Sequence, residues 1–158
     1  MSSDRSTIRL AVLLFVAFAF SAGFDHLLTI GRATPNLALV FLVVACLFVD
    51  GNGGVLLGFM VGMLQASYAE YVGSTIFTRT LVGYIVGSLE ARLFRDNAII
   101  AVATVLLGTV FVESVFFVCA PQRHPMAWFI GAGYESLYNG LLAIPVYFIV
   151  RRAARGRE

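Results

Sequence analysis

Two glycine ladders at helical spacing limit what this chain can become. Gly54, Gly58 and Gly62 recur every four residues, and Gly83 and Gly87 repeat the interval on the next segment. Residues four apart share one face of an α-helix, so each ladder clears a stripe along which another backbone can approach closely. The sequence around both ladders is strongly apolar. In lipid, packing replaces the hydrophobic effect as the force between helices, and small-residue stripes are its usual contact surface. The expectation is a polytopic membrane protein that works through helix contacts, with Gly54, Gly58, Gly62, Gly83 and Gly87 as helix-packing or partner-binding positions.

Composition points to the same class. Hydrophobic residues make up 59% of the chain, charged residues 13%, and the mean hydropathy is +0.89, far from a soluble globular average. The 158 residues have room for about six spans of roughly 20 residues and for no sizeable soluble domain. The expected architecture is therefore a single all-α domain, 1–158, with spans near 8–24, 34–50, 53–70, 74–94, 97–119 and 126–150. The first run, with Arg5 and Arg9 before or within its start, fits a secretory signal loosely; further apolar segments follow it, which favours an uncleaved span. Thr34-Pro35 announces the second, since proline suits a first helical turn. Asp50-Gly51-Asn52-Gly53 reads as a turn. Tyr71 to Ser74 makes only a brief break, so segments three and four are either two full spans or a re-entrant pair. Pro121 to Pro125 forms a short rigid connector, Trp128 stands where an aromatic belt residue belongs, and Pro145 is expected to kink the last helix.

All eleven basic residues are arginines. With six spans and a cytoplasmic N-terminus, the inner side holds Arg5, Arg9, Arg92, Arg95, Arg151, Arg152, Arg155 and Arg157. The outer side holds Arg32, Arg123 and, near a helix end, Arg79. Eight against three satisfies the positive-inside rule and puts both termini in the cytoplasm, the arginine tail lying beside anionic lipid headgroups. Four charges behind a hydrophobic span, without interleaved aromatics, argue against nucleic-acid binding.

Three charges fall deep within apolar segments: Arg79, Glu113 and Glu135. Charge at such depth is expensive and marks a functional position with a partner. On the last helix Gly131, Glu135 and Asn139 share a face, so a carboxylate and an amide are presented together. Two readings stand: a polar site for a ligand or partner helix, and an internal pair of Arg79 with Glu135 or Glu113 that ties the bundle. The sequence carries no phosphate loop, histidine metal pair or nucleophile elbow, so no catalytic residue, cofactor or metal is expected. His26 and His124 read as surface residues of outer connectors. Cys46 and Cys119 have neither disulfide nor metal-ligand spacing.

The stretch from Gly54 through Gly58-Phe59 and Gly62-Met63-Leu64, then Gly73 and Leu81-Val82-Gly83-Tyr84, together with Leu137-Tyr138-Asn139, Leu141 to Pro145 and an arginine pair, resembles the rod-shape-determining MreD family. The likeness covers about half the chain. The family often carries an aspartate just after the Gly-Leu-Leu stretch; here Gln65 and Ala66 take that place, and Glu70 lies about one turn later. The resemblance implies a non-enzymatic scaffold of the bacterial cell-elongation machinery in the inner membrane. It implies a fold similar to the substrate-binding subunits of energy-coupling-factor transporters, and MreC as direct partner. RodA, a class B penicillin-binding transpeptidase and MreB would form the wider complex that builds side-wall peptidoglycan. The alternative is a solute-binding subunit of such a transporter, with Arg79, Glu135 and Asn139 lining a pocket and Trp128, Tyr134 and Tyr138 supplying its aromatic wall.

Overall fold

The computed structural model describes residues 8–19, 29, 34–89, 97–121 and 123–155. Among these the chain forms six helices and no strand: α1 (Ile8–Ala19), α2 (Leu37–Cys46), α3 (Gly51–Ala66), α4 (Val72–Ser88), α5 (Ala98–Cys119) and α6 (Pro125–Arg155). The far end of the expected first span, the stretch 90–94 of the fourth, His26 and Arg5, Arg32, Arg92, Arg95 and Arg157 lie outside the described residues.

α2 is the centre of the bundle. From Ala38 to Cys46 every side chain except the partly buried Phe41 is at most 1% exposed, and a helix that is apolar all round belongs inside a larger assembly. Its N-terminus is set by Asn36, whose side-chain oxygen accepts from the backbone N–H of Leu39 at 3.0 Å. The helix is shorter than the expected span 34–50. Leu47 and Phe48 donate to carbonyls three residues back, Leu47 to Val44 and Phe48 to Ala45, a tightening typical of helix ends. Asp50 then caps α3, accepting from Gly53 N–H at 3.0 Å. Ten helical residues rise only about 15 Å, half the thickness of a bilayer core. α2 can be this short because protein, rather than lipid, surrounds it.

The glycine ladders face each other. α3 and α4 run antiparallel, and a Cβ built on Gly54 would strike the carbonyl of Gly83, while one on Gly83 would strike the carbonyl of Gly54. Lower down, a Cβ on Gly58 would enter the Arg79 carbonyl and come within 2.9 Å of Thr80 Cα; one on Gly62 would lie 2.8 Å from Ile76 Cα. Gly87 makes the same approach to Asp50 O at 2.7 Å. Because a glycine hydrogen points where a Cβ would, these positions set Cα–H groups against opposing carbonyls, a weak attraction that recurs at close helix interfaces. The stripe that could hold a partner's helix is thus filled by the chain's own.

Among the described residues one helix, α5, is long and apolar enough to cross a membrane. Its outer face carries Ile99, Leu107 and Val118, each more than 70% exposed. α6 is longer, at 31 residues, and continues past Pro145; its mean hydropathy is lowered by Glu135, Ser136 and Asn139, of which Ser136 and Asn139 are buried. α1, α2 and α3 are shorter apolar helices.

Replacing Gly58 by Leu should destabilise the protein rather than merely alter its surface, because the new side chain meets backbone on both sides and forces α3 from α4, at a cost of about 1–3 kcal/mol or more. Gly133→Ala is the control: a Cβ there meets nothing within 4 Å. Thermal unfolding in detergent should fall clearly for the first and stay level or rise for the second; equal midpoints would mean the hairpin opens at little cost.

Candidate functional site

The polar side chains of the core converge where the start of α2 and the end of α3 meet the middle stretches of α4, α5 and α6. They form a hydrogen-bonded chain across all five. Asn139 Nδ2 on α6 donates to Thr109 Oγ1 on α5 at 3.2 Å. Asn139 Oδ1 accepts from the backbone N–H of Asn36 at 2.9 Å. Asn36 Oδ1 in turn accepts from Gln65 Nε2 at 2.8 Å, and Gln65 Oε1 accepts from Arg79 Nε at 2.8 Å. Arg79 also reaches Thr78 Oγ1 at 3.4 Å. Asn139 and Thr109 are fully buried and Gln65 and Arg79 nearly so, and groups at such depth are costly unless paired. The Asn139 and Gln65 amides each work in both directions, one atom donating and the other accepting, while the Asn36 side-chain oxygen accepts twice.

Arg79 ends this chain at a cavity of about 340 Å³. Glu113 and Glu135 share its wall, and the guanidinium lies in the electrostatic field of both carboxylates. The structure therefore brings together the three deep charges picked out in the sequence and sets Asn139 one turn below Glu135. Aromatic rings close the rest: Phe116 stacks on Trp128 with centroids 5.8 Å apart, Tyr71 meets the edge of Phe116 at 6.1 Å, and Tyr68 stacks on Phe18 at 5.9 Å.

Some expected members are elsewhere. Tyr134 is 56% exposed and faces a different groove with Val110 and Phe129. Glu70 is exposed and lies beside Arg123 and His124 in an outer depression, and it is the neutral Gln65 that joins the network. Trp128, expected as a belt residue, lines the cavity. Gln65 stood out in the sequence only as a replacement for an expected aspartate, and Asn36 and Thr109 carried no signal; Asn36 stands beside a helix start, and its partners are 29 and 103 positions away. Among the described residues, no group of three His, Cys, Asp or Glu is placed to hold a metal ion.

The Arg79 and Glu113 charges should be coupled. Arg79→Met alone leaves Glu113 buried without its countercharge, whereas Arg79→Met with Glu113→Gln removes both. In a double-mutant cycle read by unfolding in detergent, the double variant should lose less than the sum of the singles, by about 0.5–3 kcal/mol. Strictly additive losses would reject the coupling.

Comparison with curated proteins and with solved structures finds no match in either set; the expected likeness to energy-coupling-factor transporter subunits is therefore without structural support. The family model described as rod shape-determining protein MreD matches residues 4–155, which takes in all six helices, both ladders and every member of the polar chain. The chain belongs to the MreD family of rod shape-determining proteins.

Proposed function

We propose that this protein is a non-enzymatic, multi-pass scaffold of the cell-elongation machinery in the bacterial inner membrane. In this reading it binds MreC directly and acts with RodA, a class B penicillin-binding transpeptidase and MreB in side-wall peptidoglycan synthesis. The observation that carries the reading is the family match over nearly the whole chain. The surface supports it. Large apolar side chains stand outward on α5 and α6, among them Ile99, Leu107, Leu137, Leu141 and Phe148, and such a surface suits lipid or a partner's transmembrane helix better than water. With the glycine stripes filled internally, the ladders serve the partner indirectly, by holding α3 and α4 as a rigid hairpin. A solute-binding role in a transport complex is the second reading, favoured by the cavity at Arg79.

Pull-down from native membranes separates the two. MreC should co-purify, and depletion of the protein should turn rods into round cells. Recovery of an ATPase in place of MreC, with cell shape unchanged on depletion, would replace the scaffold reading with the transport one.

Arg151, Arg152 and Arg155 close α6 at the end away from the cavity, and under the positive-inside rule this reading has both termini in the cytoplasm. A reporter that works only outside the inner membrane should be inactive when fused to the C-terminus. An active fusion would mean an odd number of crossings.

A further inference from the structure

The cavity at the end of the polar chain holds donors that the protein itself leaves unused. A guanidinium has five N–H donors; Arg79 gives one from Nε to Gln65 and one from a terminal nitrogen to Thr78, and the others have no partner among the described residues. The side chain as a whole is 7% exposed, and it lines the cavity. Trp128 adds a second case, since its indole N–H is buried and has no acceptor. Both residues line the same cavity, and so do the Glu113 and Glu135 carboxylates; Glu135 already takes part in another interaction, which leaves Glu113 as the carboxylate open to a ligand. Buried polar atoms are normally paired, and an orphan at a cavity wall calls for an explanation.

We propose that the cavity binds a small zwitterion: an anionic oxygen group accepting from Arg79 and Trp128, with an ammonium a few bonds away against Glu113. The arrangement of charge selects this class over its halves. A lone anion at the donors would lie beside the Glu113 carboxylate, and a lone cation at Glu113 would lie beside the Arg79 guanidinium. A molecule carrying both groups meets each with its opposite. The size fits, since a cavity of about 340 Å³ is at the small end of ligand sites, and the stacked Phe116 and Trp128 rings give it an apolar wall. An adjoining space bounded by Glu113, Trp128, Ala127 and Gly131 extends it along α6, where a Cβ on Gly131 would meet nothing within 4 Å. This open flank admits either a free amino-acid-like zwitterion or the phosphoethanolamine headgroup of a lipid whose chains remain outside the bundle.

Trp128 is the chain's only tryptophan, so intrinsic fluorescence reads this site alone. The purified full chain should be titrated in detergent with phosphoethanolamine and with alanine, and compared in nanodiscs of phosphatidylglycerol with and without phosphatidylethanolamine. A saturable change with at least one zwitterion is expected, and a response at least about ten-fold weaker to glycerol phosphate or ethanolamine alone. A response in the nanodiscs only identifies the lipid as source; a response to the soluble compounds identifies a free ligand. Glu113→Gln should weaken zwitterion binding about ten-fold while glycerol phosphate, relieved of the neighbouring carboxylate, binds no more weakly than before. Gly131→Leu, which fills the open flank without touching a charge, should weaken it in a chain whose unfolding is unchanged. Absence of a saturable change with every zwitterion, equal affinity for glycerol phosphate, or indifference to both variants would each overturn the proposal. The outcome is independent of whether MreC co-purifies.

Discussion

The link between Asn36 and its two amide neighbours, Asn139 and Gln65, is the contact on which the rest of the arrangement depends. Asn36 caps α2 with the same side-chain oxygen that accepts from Gln65 on α3, and its backbone N–H binds Asn139 on α6. One residue therefore fixes the start of the central helix and its depth relative to two others. In an apolar interior no water stands by to replace a broken link, so sliding any of these helices by one turn would leave several buried polar groups unpaired. Leu and Val contacts, which dominate the rest of α2, carry no such demand: one apolar side chain can take another's place at modest cost. The polar chain is what selects a single register for helices whose apolar faces would tolerate several.

The glycine contacts and the polar chain are one construction. Gly58 lies against the Arg79 carbonyl, and a Cβ on Gly62 would come within 3.4 Å of Arg79 Cβ; Gln65, which takes the Arg79 Nε–H, is three residues beyond Gly62 on the same helix. The near absence of side chains between α3 and α4 brings the Arg79 backbone close enough for this short reach. A larger residue at either glycine would move the guanidinium away from Gln65 and from the cavity together. Structural glycines and candidate site residues are coupled here by distance, so their substitution effects on stability and on binding are expected to travel together.

Much of this was legible in the sequence and some was not, for reasons that differ by residue. Helix-forming apolar runs were plain, because period and length are local properties, and the deep charges Arg79, Glu113 and Glu135 stood out because ionisable groups are rare among apolar neighbours. Gly54 and Gly83 could be read as contact positions, but not as each other's contact, since small stripes carry no mark of their partner. Asn36 and Thr109 were silent, and Gln65 was legible only as the residue standing where the resemblance sets an aspartate. A neutral amide beside a helix end has an ordinary local explanation as a cap or a surface residue, and the bonds that give it another role join segments up to 103 positions apart. Trp128 carried two expectations, since the aromatic belt and a cavity wall ask for the same amphipathic ring, and it lines the cavity. The length of α2 was overestimated for a related reason: an unbroken apolar run looks alike whether lipid or protein surrounds it.

A scaffold gains little stability from a polar centre. Buried charged groups are weak stabilisers next to apolar packing, and their firmer use is in specifying one arrangement among several. The apolar helices of this chain face the same difficulty twice, first with one another and then with a partner's helix, because hydrocarbon contacts discriminate poorly between registers. Confining the polar chain to the contacts between helices resolves the first and leaves the outer faces of α5 and α6 free of buried polar demands. Those faces carry large exposed apolar side chains on a frame whose internal register is already set. Under the proposed scaffold role, a partner helix would then dock against a surface that does not rearrange, and the protein would transmit the position of what it binds.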